Sequence, residues 1–254
     1  MPHICPLNWE ERLIFKYMAT LTSSKILEYA FEDLEMYVYT ETQINSNMYV
    51  VISGENGMII DPIVNAEVLD IIYEHKVKVL KILLTHEHYD HISGVNYYKE
   101  QLPCVVICSA LCAEALPYPR KNLSKYYNLV MQAHIGEASI AGYATSFSCK
   151  ADFIYKNEYA FTFGRHYIKA VSIGGHSAGS SLILINSIAL FSGDNLIPEK
   201  NTVVTLPSGS LEQYELSVKP FVLSLNKSCY IFPGHGPPET LKRILSNHPD
   251  YSYM

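Results

Sequence analysis

The sequence predicts an α/β fold of the α+β type, in which mixed β-sheets are covered by helices packed on the outside. Three features lead to this prediction: an opening series of antiparallel strands, a middle in which strand and helix alternate, and a second run of strands. Elements in this order pack as layers, because each sheet must bury its apolar faces. At 254 residues the chain is long enough for one such domain with a sizeable core.

The first part of the chain predicts an extension followed by an antiparallel meander. A helical extension is predicted over residues 1–34, because apolar residues recur at roughly helical spacing: Trp9, Leu13, Ile14, Tyr17 and Leu21. The main domain then spans residues 35–254 and begins with the strands EMYVYT, NMYVVIS and MIID. We expect the extension to be a packed flap or a dimer contact, so a homodimer is one expected assembly.

Strand and helix alternate from residue 65 onward, which predicts βα units. A helix is expected from 65 to about 75, then the strand VKVLKILL, a helix from about 94 to 100 and the strand CVVIC. Residues 117–150 are the least regular part, with Pro117, Pro119 and a helix predicted over 122–134. We expect this segment to be an insertion that caps the functional site.

The last third of the chain predicts a second group of strands. The candidates are FIYK, AFTF, YIKAVSI, SLILI, IALFS and CYIF, with a helix expected from about 211 to 225 and another at the end. No repeat at the periods of solenoid proteins interrupts this order. The chain is therefore expected to form a single domain.

Charge and composition narrow the classes of function. The formal net charge is -6 and the pI is near 5.9, which argues against nucleic acid as a partner, because that affinity needs clustered Lys and Arg. The sequence lacks an export signal and a long uncharged apolar stretch, so we expect a cytoplasmic protein without a membrane partner. The six scattered cysteines are expected to be free, buried thiols with a core role.

The most informative stretch is Thr85-His-Glu-His-Tyr-Asp-His91, which directly follows the apolar run VLKILL. It places three imidazoles and a carboxylate at the mouth of the predicted core: His86, His88, Asp90 and His91. Such crowding is costly without a partner, because uncompensated polar groups lose free energy on burial. Neutral imidazole and carboxylate are preferred ligands of zinc and related metals.

Three later segments repeat one design, in which a polar residue follows a buried strand. The strands YIKAVSI, IALFS and CYIF lead to His176, Asp194 and His235, each after one or two residues that include glycine. Glycine lets the backbone turn sharply, so neighbouring strands of this kind would bring their ligands together. Taken alone, each of these residues would be an ordinary core or turn residue, but the joint pattern predicts a metal cluster. The other histidines have no partner at ligand spacing, and no catalytic role is expected for them: His3, His75, His134, His166 and His248.

These residues resemble the motifs of the metallo-β-lactamase fold superfamily, from about Glu35 to the last helix. The family signatures are His-x-His-x-Asp-His, Gly-His-Ser/Thr-x-Gly, a bridging aspartate and Pro-Gly-His-Gly. They match the following residues in order: His86, His88, Asp90 and His91, then His176, then Asp194, then His235.

The resemblance implies a four-layer αββα sandwich with its site at one edge of two facing sheets. It implies two metal ions, expected to be Zn²⁺ with iron or manganese as alternatives. Metal one would be held by His86, His88 and His176, metal two by Asp90, His91 and His235, and Asp194 would bridge them. Asp61 matches a structural aspartate of the family that lies close to the ligand loop, and we do not expect it to be a ligand.

Two cations about 3.5 to 4 Å apart can share a water and lower its pKa toward neutrality, so the expected nucleophile is a bridging hydroxide. One cation can also polarise the substrate carbonyl and stabilise the oxyanion. Asp90 is the expected catalytic residue besides the metals, since it could orient or shuttle a proton. The sequence therefore predicts hydrolysis without a Ser or Cys nucleophile.

Within this superfamily, Asp194 and the missing export signal point away from true β-lactamases. The stretches GGHSAGS, FSGD and PGHGPP are most similar to the glyoxalase II group, which implies a small-molecule ester substrate, above all an acyl thioester. The chain ends soon after His235, without the helical glutathione-binding domain of that group, so the resemblance implies a thioesterase similar to hydroxyacylglutathione hydrolase but leaves the thiol part of the substrate open. The alternatives are a lactonase, a β-lactamase-like amide hydrolase, a mononuclear iron persulfide dioxygenase and a non-enzymatic module stabilised by metal.

Overall fold

The computed structural model describes residues 23–31, 33–42, 45–135 and 146–251. The first of two sheets in this part of the chain contains seven strands, hydrogen-bonded in chain order: β1 (Ser23–Phe31), β2 (Leu34–Glu41), β3 (Asn47–Ser53), β4 (Asn56–Ile60), β5 (Val79–Leu83), β6 (Cys104–Ser109) and β7 (Phe153–Tyr155). The strands β1 to β4 pair antiparallel, whereas β4 to β7 pair in parallel. Helices and a loop segment connect the parallel strands: α1 (Glu67–Glu74), α2 (Tyr89–Ile92), α3 (Val95–Gln101), α4 (Ala110–Ala115) and α5 (Ser124–Ile135).

The second sheet contains six strands within the described residues: β8 (Glu158–Phe163), β9 (His166–Ser172), β10 (Ser181–Ile185), β11 (Ala189–Gly193), β12 (Tyr230–Pro233) and β13 (Glu239–Thr240). Their order is β13-β12-β11-β10-β9-β8, and only the β11 and β12 pair is parallel. The helical elements that follow β11 and β13 are α6 (Leu211–Gln213), a π-helical segment (Tyr214–Val218), α7 (Lys219–Ser224), α8 (Leu241–Asn247) and a 3-10 turn (Pro249–Tyr251).

The buried side chains form three layers of contacts, which give the molecule its four-layer order. In β3, which is buried along its whole length, Val50 and Ile52 pack toward the helices while Tyr49 and Val51 pack toward the second sheet. This alternation follows from the two-residue period of a strand. A third cluster joins the second sheet to the helices on its outer face. The predicted α/β (α+β) class and the αββα sandwich are both confirmed.

The predicted helical extension over residues 1–34 is wrong for Ser23–Phe31, which form β1. This segment pairs antiparallel with β2 and so satisfies the backbone groups along the edge of β2. The ring of Tyr29 also packs on the second sheet, with ring centroids 5.4 Å from Phe232 and 6.2 Å from Tyr230. The helical spacing that motivated the prediction lies between Trp9 and Leu21, outside the described residues.

The other predicted elements lie close to their expected positions, with one change of helix type. The helix expected over 211–225 passes through a π-helical segment before Pro220. Proline lacks an N–H and its ring crowds the carbonyl four residues earlier, so the helix widens there. None of the helices in the described ranges is long and apolar enough to span a bilayer. The five cysteines within the described ranges are free thiols, and four of them are buried: Cys108, Cys112, Cys149 and Cys229.

Candidate metal centre

The fold brings all seven predicted ligand candidates together at the ends of strands. The motif from His86 to His91 follows β5, and His176 lies in the loop after β9. Asp194 directly follows β11 and His235 follows β12, two neighbouring parallel strands. Because parallel strands end at the same edge of a sheet, these two ligand candidates lie side by side. The convergence expected from the sequence is thus a consequence of strand order.

The donor atoms form two sets that share Asp194. The ligand atoms lie within 4.8 Å of one another in each set, and the sets are His86, His88 and His176, and Asp90, His91 and His235. Asp61, His86 and His91 form a third close group, in which Asp61 bonds the outer nitrogen of His91. Asp194 faces both sets, since its Oδ2 lies 3.5 Å from His176 Nε2 and 3.5 Å from His235 Nε2. Its Oδ1 lies 3.4 Å from His91 Nε2. One carboxylate thus lies between two clusters of candidate metal ligands.

The chemistry of the donor atoms fits divalent cations. Four buried polar atoms at this centre have no hydrogen-bond partner among the described residues: Nε2 of His86, His88 and His91, and Oδ1 of Asp194. Buried polar atoms are nearly always paired, because an unpaired one costs about 1 to 3 kcal/mol. Several such atoms within one small cluster therefore indicate a partner that accepts lone pairs. A metal ion has that property.

Outer hydrogen bonds turn the lone pairs of three rings toward this centre. His176 Nδ1 donates to the Val203 carbonyl at 2.7 Å, and His91 Nδ1 donates to Asp61 Oδ2 at 3.0 Å. The hydroxyl of Thr85 donates to Asp61 at 2.5 Å, so it accepts from His86 Nδ1 at 3.0 Å. With Nδ1 protonated in each neutral ring, Nε2 carries the lone pair and faces inward.

Asp61 supports the ligand loop through both of its carboxylate oxygens. Besides its bonds to the Thr85 hydroxyl and to the outer nitrogen of His91, it accepts the backbone N–H of Thr85 at 2.7 Å. Its backbone φ is +52°, in the left-handed region that costs a non-glycine residue of the order of 1 kcal/mol. These bonds hold the strained residue in place and agree with the supporting position expected from the sequence.

The pKa values divide the imidazoles into two groups. Burial lowers the pKa of His88 to about 3 and also lowers the pKa of His86 and His176, so these rings stay neutral. Burial opposes protonation of His235 too, but Asp194 and Asp90 outweigh it and raise its pKa to about 10. The same balance raises the pKa of His91 well above its usual value. The two carboxylates therefore stabilise positive charge at this centre, which either protonated imidazoles or divalent cations provide.

Gly234 is required for the close approach of the strand ends. A Cβ at this position would lie 2.0 Å from Asp194 Oδ1 and 2.9 Å from His91 Cε1. We expect Gly234→Ala to fold but to bind Zn²⁺ at least about tenfold more weakly, because either ligand must move. Isothermal titration of the metal-free variant measures this. Gly54→Ala is the control, since Gly54 lies in a distant turn with nothing near its Cβ position, and the strain of an alanine at its φ of +56° arises away from the ligand candidates. Equal Zn²⁺ affinities in the two variants would contradict the expectation.

Two aromatic residues of the segment 117–150 pack directly on the ligand motif through Tyr89. The Tyr89 ring, buried on α2, lies 4.8 Å from the Tyr127 ring of α5 and 5.3 Å from the Phe147 ring. These aromatic contacts leave Tyr89 6% exposed. Among the described residues, three of the remaining histidines lie beside carboxylates elsewhere: His75 beside Glu35, His166 beside Asp33 and His248 beside Asp250.

Sequence reasoning missed the residues that hold the ligand loops. Asn195 accepts the backbone N–H of His176 at 2.9 Å and donates to the Gly174 carbonyl at 2.8 Å. Its position directly after Asp194 was a signal that could have found it. Asn47, which bonds the loop of His235, gave no such signal because the two segments are far apart in the chain.

Two layered sheets with a histidine and aspartate cluster at their strand ends are the arrangement expected of the metallo-hydrolase superfamily. The sequence model of the metallo-beta-lactamase superfamily matches residues 42–235, and the chain belongs to that superfamily. The predicted family is thus confirmed.

The individual relatives and solved structures have low sequence identity to this chain or match only a short part of it. A probable metallo-hydrolase of Streptococcus pyogenes is 25% identical over 199 residues, which cover 77% of this chain and 81% of the relative. A hydroxyacylglutathione hydrolase of Klebsiella pneumoniae is 41% identical over 63 residues, 24% of this chain and 25% of the relative. The crystal structure of BLEG-1 B3 metallo-beta-lactamase has a TM-score of 0.71 and 25% identity, covering 85% of this chain and 99% of that one.

Proposed function

We propose that this protein is a dinuclear, zinc-dependent hydrolase that cleaves a small acyl thioester. The observation that carries the proposal is the position of Asp194, whose two oxygens lie within 3.5 Å of imidazole nitrogens from both donor sets. A carboxylate in that position would be able to bind one cation in each donor set. In this proposal the first cation is held by His86, His88 and His176, and the second by Asp90, His91 and His235.

Zinc ions, when bound, supply a water of lowered pKa and polarise the carbonyl of the ester. The reaction adds water across the acyl C–S bond: the water oxygen bonds to the carbonyl carbon, the C–S bond breaks, and a proton ends on the departing sulfur. The products are a carboxylic acid and a thiol. No side chain of this protein has to form a covalent bond with the substrate.

Asp90 is the residue proposed to carry the proton. Its Oδ2 lies 3.3 Å from His235 Nε2 and 3.4 Å from His91 Nε2, at the border of the second donor set. Burial alone would raise the pKa of Asp90, but the charge of His91 and the hydrogen bond from His235 outweigh it and lower that pKa well below its usual value. An ionised carboxylate at this position can accept hydrogen bonds from the attacking water and relay its proton.

A cleft beside the ligand motif supports a small substrate. Its volume is about 350 Å³, within the range of small-molecule sites. Arg120 and Lys121 of the proposed cap, residues 117–150, line one side, and Ala178 and Ser208 line another. Glu87, which lies between two ligand candidates, forms part of the wall. A substrate group in this cleft would lie between the cap and the loop that follows His176. None of the seven ligand candidates lines the cleft, so the acyl carbon would have to extend beyond it to reach them.

The thioester class is favoured by the sequence around the ligands and by one relative. The stretches GGHSAGS, FSGD and PGHGPP resemble the glyoxalase II group, and the Klebsiella pneumoniae relative is a hydroxyacylglutathione hydrolase. A thioester is also chemically suited to this centre, since its thiolate leaves readily without a strong general acid. Asp90 alone can then serve the proton transfer.

A substrate panel tests the proposed class. Purified protein with bound zinc is assayed on acyl thioesters, lactones, β-lactams and phosphodiesters, with Asp194→Asn as the matched inactive control. We expect thioesters to give a kcat/KM at least about tenfold above every other class, a difference of about 1.4 kcal/mol in transition-state binding.

Each other outcome of the panel has a defined meaning. A preference for lactones or β-lactams would replace the thioester but leave the hydrolase. Oxygen consumption with a persulfide by protein holding one iron would overturn the proposed reaction. Equal activity in the Asp194→Asn control would show that the hydrolysis comes from elsewhere.

A further inference from the structure

The loop that carries His235 belongs to the second sheet but is held by the first. It runs from Pro233, the last residue of β12, to Gly236. The groups that donate hydrogen bonds to this loop lie on β3. The backbone N–H of Asn47 donates to the Gly234 carbonyl at 2.7 Å. The side-chain amide of Asn47 donates to the Pro233 carbonyl at 3.0 Å and to the Gly236 carbonyl at 2.7 Å. One asparagine therefore holds three carbonyls around the ligand candidate.

Neighbouring side chains fix the orientation of this amide. The Thr40 hydroxyl donates to Asn47 Oδ1 at 2.7 Å, which leaves Nδ2 directed at the loop. The Tyr49 hydroxyl lies 3.1 Å from Asn47 Nδ2 and donates to the Pro233 carbonyl at 2.5 Å. Asn47 and Tyr49 are 2% and 1% exposed, so water does not compete for these bonds.

We infer that Asn47, supported by Tyr49, is a positioning residue that holds His235 in its ligand geometry and thereby sets the affinity of the second cation site relative to the first. The inference rests on the proposed function, in which His235 belongs to the second donor set. Among the described residues, the hydrogen bonds of Asn47 reach the His235 loop and its own sheet but not the first donor set.

The physical reason is the flexibility that the loop would have without these bonds. His235 lies between Gly234 and Gly236, and Gly236 has a φ of +81°, a conformation that glycine adopts without strain. A glycine-flanked loop has many accessible conformations, and ordering it at the moment of binding weakens the apparent affinity. Hydrogen bonds from a buried strand of the other sheet order the loop during folding, so metal binding does not have to order it.

The test compares the two zinc affinities of variants by calorimetric titration of metal-free, full-length protein with Zn²⁺ against a competing chelator. Asn47→Leu keeps the volume and adds no charge but removes both amide donors. We expect it to weaken the second site about 10- to 100-fold and the first site less than about threefold. Tyr49→Phe removes one hydroxyl, and we expect a selective loss of about 2- to 10-fold at the second site.

Tyr155→Phe is the matched control. Tyr155 is a buried tyrosine whose hydroxyl also joins the two sheets, donating to Ser181 Oγ at 2.8 Å, and Ser181 lies on β10, which carries no ligand candidate. Its two zinc affinities should equal those of the wild type. If Asn47→Leu does not fold, Tyr49→Phe decides the question.

Equal weakening of both sites, or an unchanged second site in folded variants, would overturn the positioning role while leaving the metal centre in place. Wild-type protein that takes up no zinc would instead overturn the proposed function itself. The ratio of the two affinities separates positioning from simple destabilisation, because a general loss of stability weakens both sites together.

Discussion

Replacing Asp194 by asparagine should lower kcat/KM for the preferred substrate by at least about 10³-fold, equivalent to roughly 4 kcal/mol. The substitution keeps the shape of the side chain but removes a charge that faces imidazoles of both donor sets, at 3.4 Å from His91 Nε2 and 3.5 Å from His176 Nε2. The amide is a weaker ligand, and its NH₂ group cannot face a cation. Bound metal should fall below two per chain.

The matched control for this substitution is Asp152→Asn. Asp152 bonds Lys99 and the backbone N–H of Val106 at the far edge of the first sheet, away from the ligand candidates. We expect its activity to stay within about threefold of wild type, with some loss of stability of the size usual for surface ion pairs, about 1 kcal/mol or less. Steady-state kinetics and elemental analysis of both variants make the comparison. Full activity in Asp194→Asn would remove the basis for a shared carboxylate.

Removing the metal should have the second largest effect. Treatment with a strong chelator should abolish hydrolysis and lower the thermal midpoint by roughly 10 °C. A ligand at about a thousand times its dissociation constant stabilises the folded state by about 4 kcal/mol, and each kcal/mol corresponds to about 2 to 4 °C for a chain of this size. The metal-free centre would also retain buried lone pairs without partners.

Calorimetry before and after chelation measures this effect, and added Zn²⁺ should restore both the midpoint and the activity. The Asp194→Asn variant serves as the internal comparison, since its midpoint should respond less to chelation than that of the wild type. An identical midpoint with and without metal would contradict the assignment of the orphaned histidine nitrogens to cations.

Much of this fold could be predicted because its strands are either apolar along their whole length or alternate between apolar and polar residues. The strands β3 and β5 read as apolar runs, and the ligand motif after β5 is a local pattern of six residues. The N-terminal segment Ser23–Phe31 was harder. The spacing of its apolar residues fits both a helix and a strand, and it forms a strand because it pairs with β2.

The supporting shell of the site could not be predicted, for a physical reason. Asn47 and the loop at Pro233 are 186 residues apart in sequence, and their hydrogen bond depends on how the two sheets face each other. The Val203 carbonyl that orients His176 carries no residue signature, because every residue has a carbonyl. Ligands can be recognised from their chemical type and spacing, whereas their orienting partners emerge only after the layers have packed.

The central claim is that seven residues from separate strand ends hold two divalent cations. Elemental analysis of the purified protein by mass spectrometry tests it most directly, with metal expressed per chain after exhaustive dialysis. We expect about two zinc ions per chain in the wild type and fewer than two in Asp194→Asn. Well-folded wild-type protein that retains no metal, or the same content in both proteins, would contradict it.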